Sequence, residues 1–155
     1  MPTVGILDIN DEAGAARWDR FVASCPTATF FHRAGWQRII ARVFRHRTHF
    51  LYVERDGAIE GVLPLAHVKS LLFGNGLVSL PFAVYGGVAA IDEQAAELLE
   101  AEAQALAGKL GVEHLELRNV APHHPDWPTQ DLYVTFRKAI LPEEEANMLA
   151  IPRKQ

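Results

Sequence analysis

Five arginines and no acid lie between His32 and His49: Arg33, Arg38, Arg42, Arg45 and Arg47. A guanidinium is a rigid fork of N–H donors that matches phosphate or carboxylate oxygens, so such a run has the chemistry to hold an anion. Arg38, Arg42 and Arg45 recur at i, i+4 and i+7, which places them on one helix face opposite the stripe Trp36, Ile39 and Val43. The plain expectation for that face is a solvated one, partly neutralised by the acidic helix Asp92 to Glu102. Arg33 and Trp36, at the helix start, combine a guanidinium with an indole, although Trp36 also begins an apolar stripe and reads equally as core.

Other constellations offer less. His123-His124-Pro125-Asp126 has metal-ligand residue types, but it is one short loop without a second cluster, so a surface turn is expected and no metal site. His114, Glu116 and Arg118 alternate along a strand and share a face that could line a cleft or simply be salt-bridged. Tyr85 precedes Gly86-Gly87, a pair that permits either a ligand's close approach to the backbone or a bulge.

The elements that position these residues belong to a globular chain of 155 residues, 49% hydrophobic and 22% charged. A net charge of -4 with a pI near 5.9 excludes bulk electrostatic binding, and DNA is not an expected partner. Cys25 is the one cysteine, which rules out an intramolecular disulfide and a thiolate cluster. The N-terminus lacks the basic flank and apolar core of an export signal, and a cytoplasmic location is expected. Ser70 to Ile91 carries no charge, but Gly74, Gly76, Pro81, Gly86 and Gly87 break it up, so a turn and a buried strand are expected instead of a transmembrane segment.

A first strand is expected over Val4–Ile9, then a helix over Ala13–Ser24 with Trp18, Phe21, Val22 and Cys25 inward. Trp36, Ile39, Ile40, Val43 and Phe44 define a second amphipathic helix. Phe50–Glu54 and Ile59–Val68 should pair through an Asp56-Gly57 type I′ turn, with Pro64 marking an edge or a bulge. A turn over residues 73 to 76 should begin a third strand, through Leu77, Leu80 and Phe82 to Tyr85. Asp92 should cap a helix that Gly111 ends, followed by strands over Val112–Arg118 and Tyr133–Ala139. That order specifies an α/β, acetyltransferase-like (GNAT-type) domain with a mixed, largely antiparallel central sheet flanked by helices. The domain is expected over 1–139, with 140–155 a linker entering a new helix. Pro152 limits the helix begun at Glu143 to a few turns, which is marginal on its own.

Several ordered blocks carry a resemblance to a known family. They are Phe30-Phe31-His32-Arg33-Ala34-Gly35-Trp36, Gly61-Val62-Leu63-Pro64-Leu65, Lys69 to Gly74, Leu80-Pro81-Phe82 with Tyr85-Gly86-Gly87, Leu115-Glu116-Leu117-Arg118, and Ile151-Pro152-Arg153-Lys154-Gln155. Together they resemble the FemAB-related proteins associated with the PEP-CTERM/exosortase system. The resemblance implies a longer protein of two acetyltransferase-like domains, an N-acyltransferase acting on an amine of a cell-envelope or exported-polymer precursor. It implies an acyl or aminoacyl donor, an acyl-CoA or an aminoacyl-tRNA, with the catalytic residues outside this stretch and no transfer by this stretch alone. It also implies that Arg33 and Trp36 bind the acceptor's phosphates and sugar, that Tyr85 sits near the acceptor cleft, and that Glu116 and Arg118 are lesser cleft residues. The alternative is a noncatalytic module that binds an envelope precursor or partner protein. Acetyl-CoA enzymes of this fold cradle pyrophosphate with an Arg/Gln-x-x-Gly-x-Gly/Ala loop at a helix start, and no Arg or Gln here has that spacing. No tightly bound cofactor is therefore expected in this chain.

Overall fold

The computed structural model describes residues 1–70, 74–130, 134–136 and 138–150, which fall into two compact units, Met1–His123 and His124–Gln155. The first unit is built on an antiparallel hairpin, β2 (Arg47–Arg55) and β3 (Ala58–Ser70). Asp56 and Gly57 both take positive φ, 51° and 83°, as the expected type I′ turn requires. β1 (Thr3–Ile6) adds to the free side of β2, and β4 (Gly74–Ser79) to the far side of β3. A two-residue strand, β5 (Ala89–Ala90), pairs with Gly61 and Val62 farther along that same side of β3. β6 (His114–Glu116) then runs parallel to β4, with Leu115 opposite Leu77. The sheet order is β1-β2-β3-β4-β6, and one crossover helix feeds the parallel pair as expected.

Two expectations about strands are corrected. The third strand stops at Ser79, because Leu80 and Phe82 adopt φ of 42° and 69°, a left-handed backbone that no ladder accommodates. Residues expected in the turn before it, Gly74 to Gly76, already belong to β4, while residues 71–73 lie outside the described residues. Pro64 marks neither an edge nor a bulge. It sits in a central strand opposite Phe50, where β4 pairs Leu65 to Ser70 and β5 pairs Gly61 and Val62. The missing N–H falls in the gap between those two partners, and the Pro64 carbonyl is used by Leu80 N–H at 2.8 Å.

Helices α1 (Glu12–Ser24) and α2 (Gly35–Arg42) and a 3-10 turn (Phe30–His32) cover one face, and α3 (Glu93–Leu110) covers the other. Asp11 caps α1 through Gly14 N–H at 2.8 Å. Trp18, Phe21, Val22 and Cys25 are all buried as their spacing requires, with Trp18 stacked on Phe50 at 5.3 Å and its indole N–H donated to the His32 carbonyl at 2.6 Å. On the opposite face Leu99, Ala103 and Leu106 of α3 pack on Leu51, Val53, Leu63, Leu65 and Leu77. Gly111 ends α3 in the left-handed conformation (φ 61°).

α2 is rotated from the orientation its apolar stripe specifies. Ile40 and Gln37 are buried, whereas Ile39 and Val43 face solvent. Two tertiary hydrogen bonds set that rotation: Gln37 Nε2 donates to the Leu7 carbonyl at 2.9 Å, and Ala34 N–H donates to Asp19 Oδ1 at 2.8 Å. The arginine face is not neutralised by α3, which lies across the sheet; Arg38 instead meets Glu12 at 3.6 Å.

In the second unit, α4 (Glu144–Leu149) is a six-residue helix whose apolar residues Met148 and Leu149 are exposed. Asn147 ties it to Leu141, accepting from Leu141 N–H at 2.8 Å and donating to its carbonyl at 2.6 Å. The strand expected over Tyr133–Ala139 is absent from residues 134–136 and 138–139, where Val134 and Phe136 are exposed; Tyr133 and Arg137 lie outside the described residues, as does the 151–155 block.

Candidate functional site

The sequence-derived site residues of the first unit are organised around the segment Leu80–Val88, which leaves the sheet after β4 and returns at β5. From one side the 3-10 turn reaches it: His32 Nε2 donates to the Gly87 carbonyl at 3.0 Å. Nδ1 of the same ring accepts from Thr29 N–H at 3.0 Å and lies 3.1 Å from Thr29 Oγ1, which assigns the proton to Nε2. His32 is fully buried, and burial pushes its pKa below the ordinary value of 6.5, with the bond to Gly87 opposing. This ring is therefore a neutral structural link, and its place in the Phe30–Trp36 block gave no sign of it.

From the other side the chain leaving β6 is stitched to the segment. Gly86 and Gly87 N–H groups both donate to the Arg118 carbonyl, at 3.3 and 3.0 Å, and Val88 N–H donates to Asn119 Oδ1 at 2.9 Å. Arg118 N–H donates to Ser79 Oγ at 2.7 Å. The glycines serve this closure: a Cβ on Gly87 would collide with Asn119, and one on Gly86 would lie 2.6 Å from Leu80 Cβ. The close backbone approach they permit is thus used by the chain itself.

Arg118 is committed to structure as well, its guanidinium donating to the Ala83 carbonyl and to Glu116, both at 2.7 Å. Tyr85 is half-buried on the same segment. Arg33 is exposed, 3.8 Å from Asp19 Oδ2, a loose pairing that leaves its fork accessible. Trp36 is half-buried between Phe30 and Phe31, each ring centroid 5.9 Å away, so it serves the core rim and presents only part of its indole. The structure thus gathers Arg33, Trp36, Tyr85 and Arg118 on elements that border one segment, with Glu116 paired to Arg118. His114 lies on the same strand face as Glu116, over Gly76. His123 does not sit in a bare surface turn: its Nδ1 is 3.5 Å from Oε1 of Glu100, a buried carboxylate on α3 that no sequence spacing connects to it.

The two long-range helix starts differ. At α3, Asp92 Oδ1 accepts from Ala95 N–H at 2.8 Å and Glu93 adds a second carboxylate to the first turn, so one of the donors that would hold a pyrophosphate is used and the local charge repels it. At α2, Ala34 supplies no side-chain cap, and a Cβ added at Gly35 would meet nothing within 4 Å. The residues at α3 do not fit an acyl-CoA pyrophosphate; the first turn of α2 is approachable beside Arg33.

One further polar group lies on the α3 side of the sheet. His49 has a pKa lowered by burial and by Arg47 and His67, and its Nε2 has no hydrogen-bond partner among the described residues. His67 Nε2 meets Asn75 Oδ1 at 2.6 Å.

No protein-family model matches the chain, and no curated protein is similar to it. Solved structures are similar in fold. A ribosomal-protein-alanine N-acetyltransferase from Brucella melitensis biovar Abortus superposes with a TM-score of 0.56 at 12% identity, covering 90% of this chain and 99% of its own. A GNAT family acetyltransferase from Staphylococcus aureus gives 0.51 at 8% identity, covering 92% and 98%. A structure described as a transcriptional regulator from Bacillus halodurans gives 0.56 at 10% identity, covering 90% and 100%. The fold is the GNAT acetyltransferase fold, as the element order indicated, and at these identities the likeness speaks for fold alone.

Proposed function

We propose that this chain is the acceptor-binding domain of a cytoplasmic N-acyltransferase of FemAB-like type, which transfers an acyl or aminoacyl group to an amine of a cell-envelope or exported-polymer precursor. The observation that carries this reading is the start of α2, where the exposed Arg33 and the unobstructed Gly35 stand beside the Phe30–Trp36 aromatic rim. A guanidinium fork favours phosphate, and a partly exposed indole edge favours a sugar ring. Tyr85, with Glu116 and Arg118 behind it, lines the neighbouring segment in this reading.

The donor is an aminoacyl-tRNA or an acyl-CoA held elsewhere, since the start of α3 does not fit a pyrophosphate. Pairing with a second acetyltransferase-like domain would supply it and the proton acceptor that amine attack requires. A noncatalytic module binding the same precursor is the second reading, favoured by that same closed α3 start.

Calorimetric titration with a nucleotide-sugar precursor tests the acceptor assignment. Arg33→Ala should weaken binding about tenfold, as for loss of a charge-assisted hydrogen bond, without lowering the unfolding midpoint. Equal affinities of the two forms would sink it. Transfer assays of the chain joined to a second domain separate the enzyme from the binding module.

A further inference from the structure

The rotation of α2 leaves apolar side chains in solvent that its sequence marks for burial. Ile39 is 42% exposed and Val43 68%. Phe44 stacks on Phe82 of the neighbouring segment with ring centroids 4.1 Å apart, and Phe82 and Val84 are themselves 59% and 55% exposed. Ile39, Val43, Phe44, Phe82 and Val84, all in solvent, come from two segments of unusual charge. His32 to His49 holds arginines and no acid, and Ser70 to Ile91 holds no charge at all. Arg42 and Arg45 are exposed, with no ion-pair partner among the described residues, and they flank Val43 and Phe44 directly in the chain, all four side chains being in solvent. A protein of net charge -4 therefore carries here an exposed end of α2 that is both cationic and apolar.

Backbone strain is concentrated at the same place. Of the four non-glycine residues with positive φ among the described residues, Asp56 belongs to the hairpin turn, and the other three are Arg45 (58°), Leu80 (42°) and Phe82 (69°). A bulky residue in the left-handed region costs free energy. Here that strain holds Phe82 out in solvent, which core packing does not explain.

We propose that this face docks on the surface of an anionic lipid bilayer. Charge complementarity selects an anionic partner, and the shape of the face selects a bilayer. A helical peptide needs a groove, and two cavities among the described residues lie elsewhere, lined by Arg17, Phe21 and Ile59 and by Leu7, Trp18 and Tyr52. Exposed aromatic and aliphatic side chains with arginines next to them in the chain suit the interface of a bilayer, where apolar groups enter the acyl boundary and guanidinium groups meet phosphates. The docking is peripheral, because no helix among the described residues is long and apolar enough to cross a membrane. This inference stands apart from the acceptor assignment and does not need it.

Co-sedimentation of the full chain with phosphatidylcholine vesicles, with and without phosphatidylglycerol, is the test. Binding should require phosphatidylglycerol and weaken with added salt. Arg42→Gln should reduce it about fivefold, the usual effect of one basic residue at an anionic surface. Val43→Asp and Phe82→Asn should abolish it; asparagine tolerates the backbone at residue 82, and Arg42→Gln keeps the test open should either apolar variant misfold. No sedimentation with anionic vesicles, or equal sedimentation of all variants, overturns the proposal. So does a dimer, or binding of an acidic amphipathic peptide, that Val43→Asp abolishes while vesicle binding is absent.

Discussion

The starts of α2 and α3 use the same backbone donors in opposite ways. Asp92 and Glu93 fill the start of α3 with carboxylates from its own first residues. α2 has no such cap, and its one stabilising carboxylate, Asp19, arrives from α1 at the Ala34 N–H, one residue short of the first helical turn. α3 thus keeps a carboxylate over its first turn, whereas at α2 the Trp36 and Gln37 N–H groups turn back to the Arg33 and Ala34 carbonyls, at 3.1 and 3.0 Å, and the exposed charge beside Gly35 is the guanidinium of Arg33. The polarity of the two ends thus separates a structural helix from a candidate binding one.

The largest effect should come from removing what holds the α2 side in place. His32→Ala leaves the Gly87 carbonyl and Thr29 N–H buried without their partner and opens a cavity, so it should cost about 2–5 kcal/mol in urea unfolding. Precursor affinity should fall with it if the α2 surface depends on the Leu80–Val88 segment; an unchanged affinity would separate the two.

The same ring makes the comparison sensitive to pH. His32 and His49 both have folded pKa values lowered from the ordinary 6.5, chiefly by burial. The unfolded chain then binds protons first, so their contribution to stability is complete above about pH 6.5 and is lost as pH falls through the depressed folded values. Unfolding midpoints should drop on acidification below that point, and the drop should shrink in His32→Gln. A flat profile between neutral and mildly acidic pH would mean that neither ring is held neutral.

The smallest effect should be at α3. Asp92→Ala removes an N-cap and should cost about 1 kcal/mol. It should leave precursor binding at α2 unchanged, since the two helices lie on opposite faces of the sheet. Weakened precursor binding in this variant would show that the α3 start belongs to the site.

Local chemistry in the sequence determined the parts of this protein that depend on neighbours in the chain. Asp56-Gly57 specifies its turn because two successive positive φ values favour those residues, and Asp92 and Gly111 bracket α3 because one supplies the cap and the other the left-handed end. The inward set Trp18, Phe21, Val22 and Cys25 follows from helical spacing alone. Spacing likewise put Leu115 and Leu117 on the core side of β6, away from His114 and Glu116. Only the tertiary structure decided how α2 is turned, because Gln37 and Asp19 find partners on β1's exit and at Ala34, and those bonds outweigh exposure of Ile39 and Val43. Tertiary contacts likewise committed Arg118 and the glycine pair to closing the Leu80–Val88 segment, brought Glu100 to His123, and placed Pro64 in a gap between two partners of one strand. Each of these joins residues far apart in the chain, and a periodicity of two or 3.6 residues carries no information about which distant group will stand opposite.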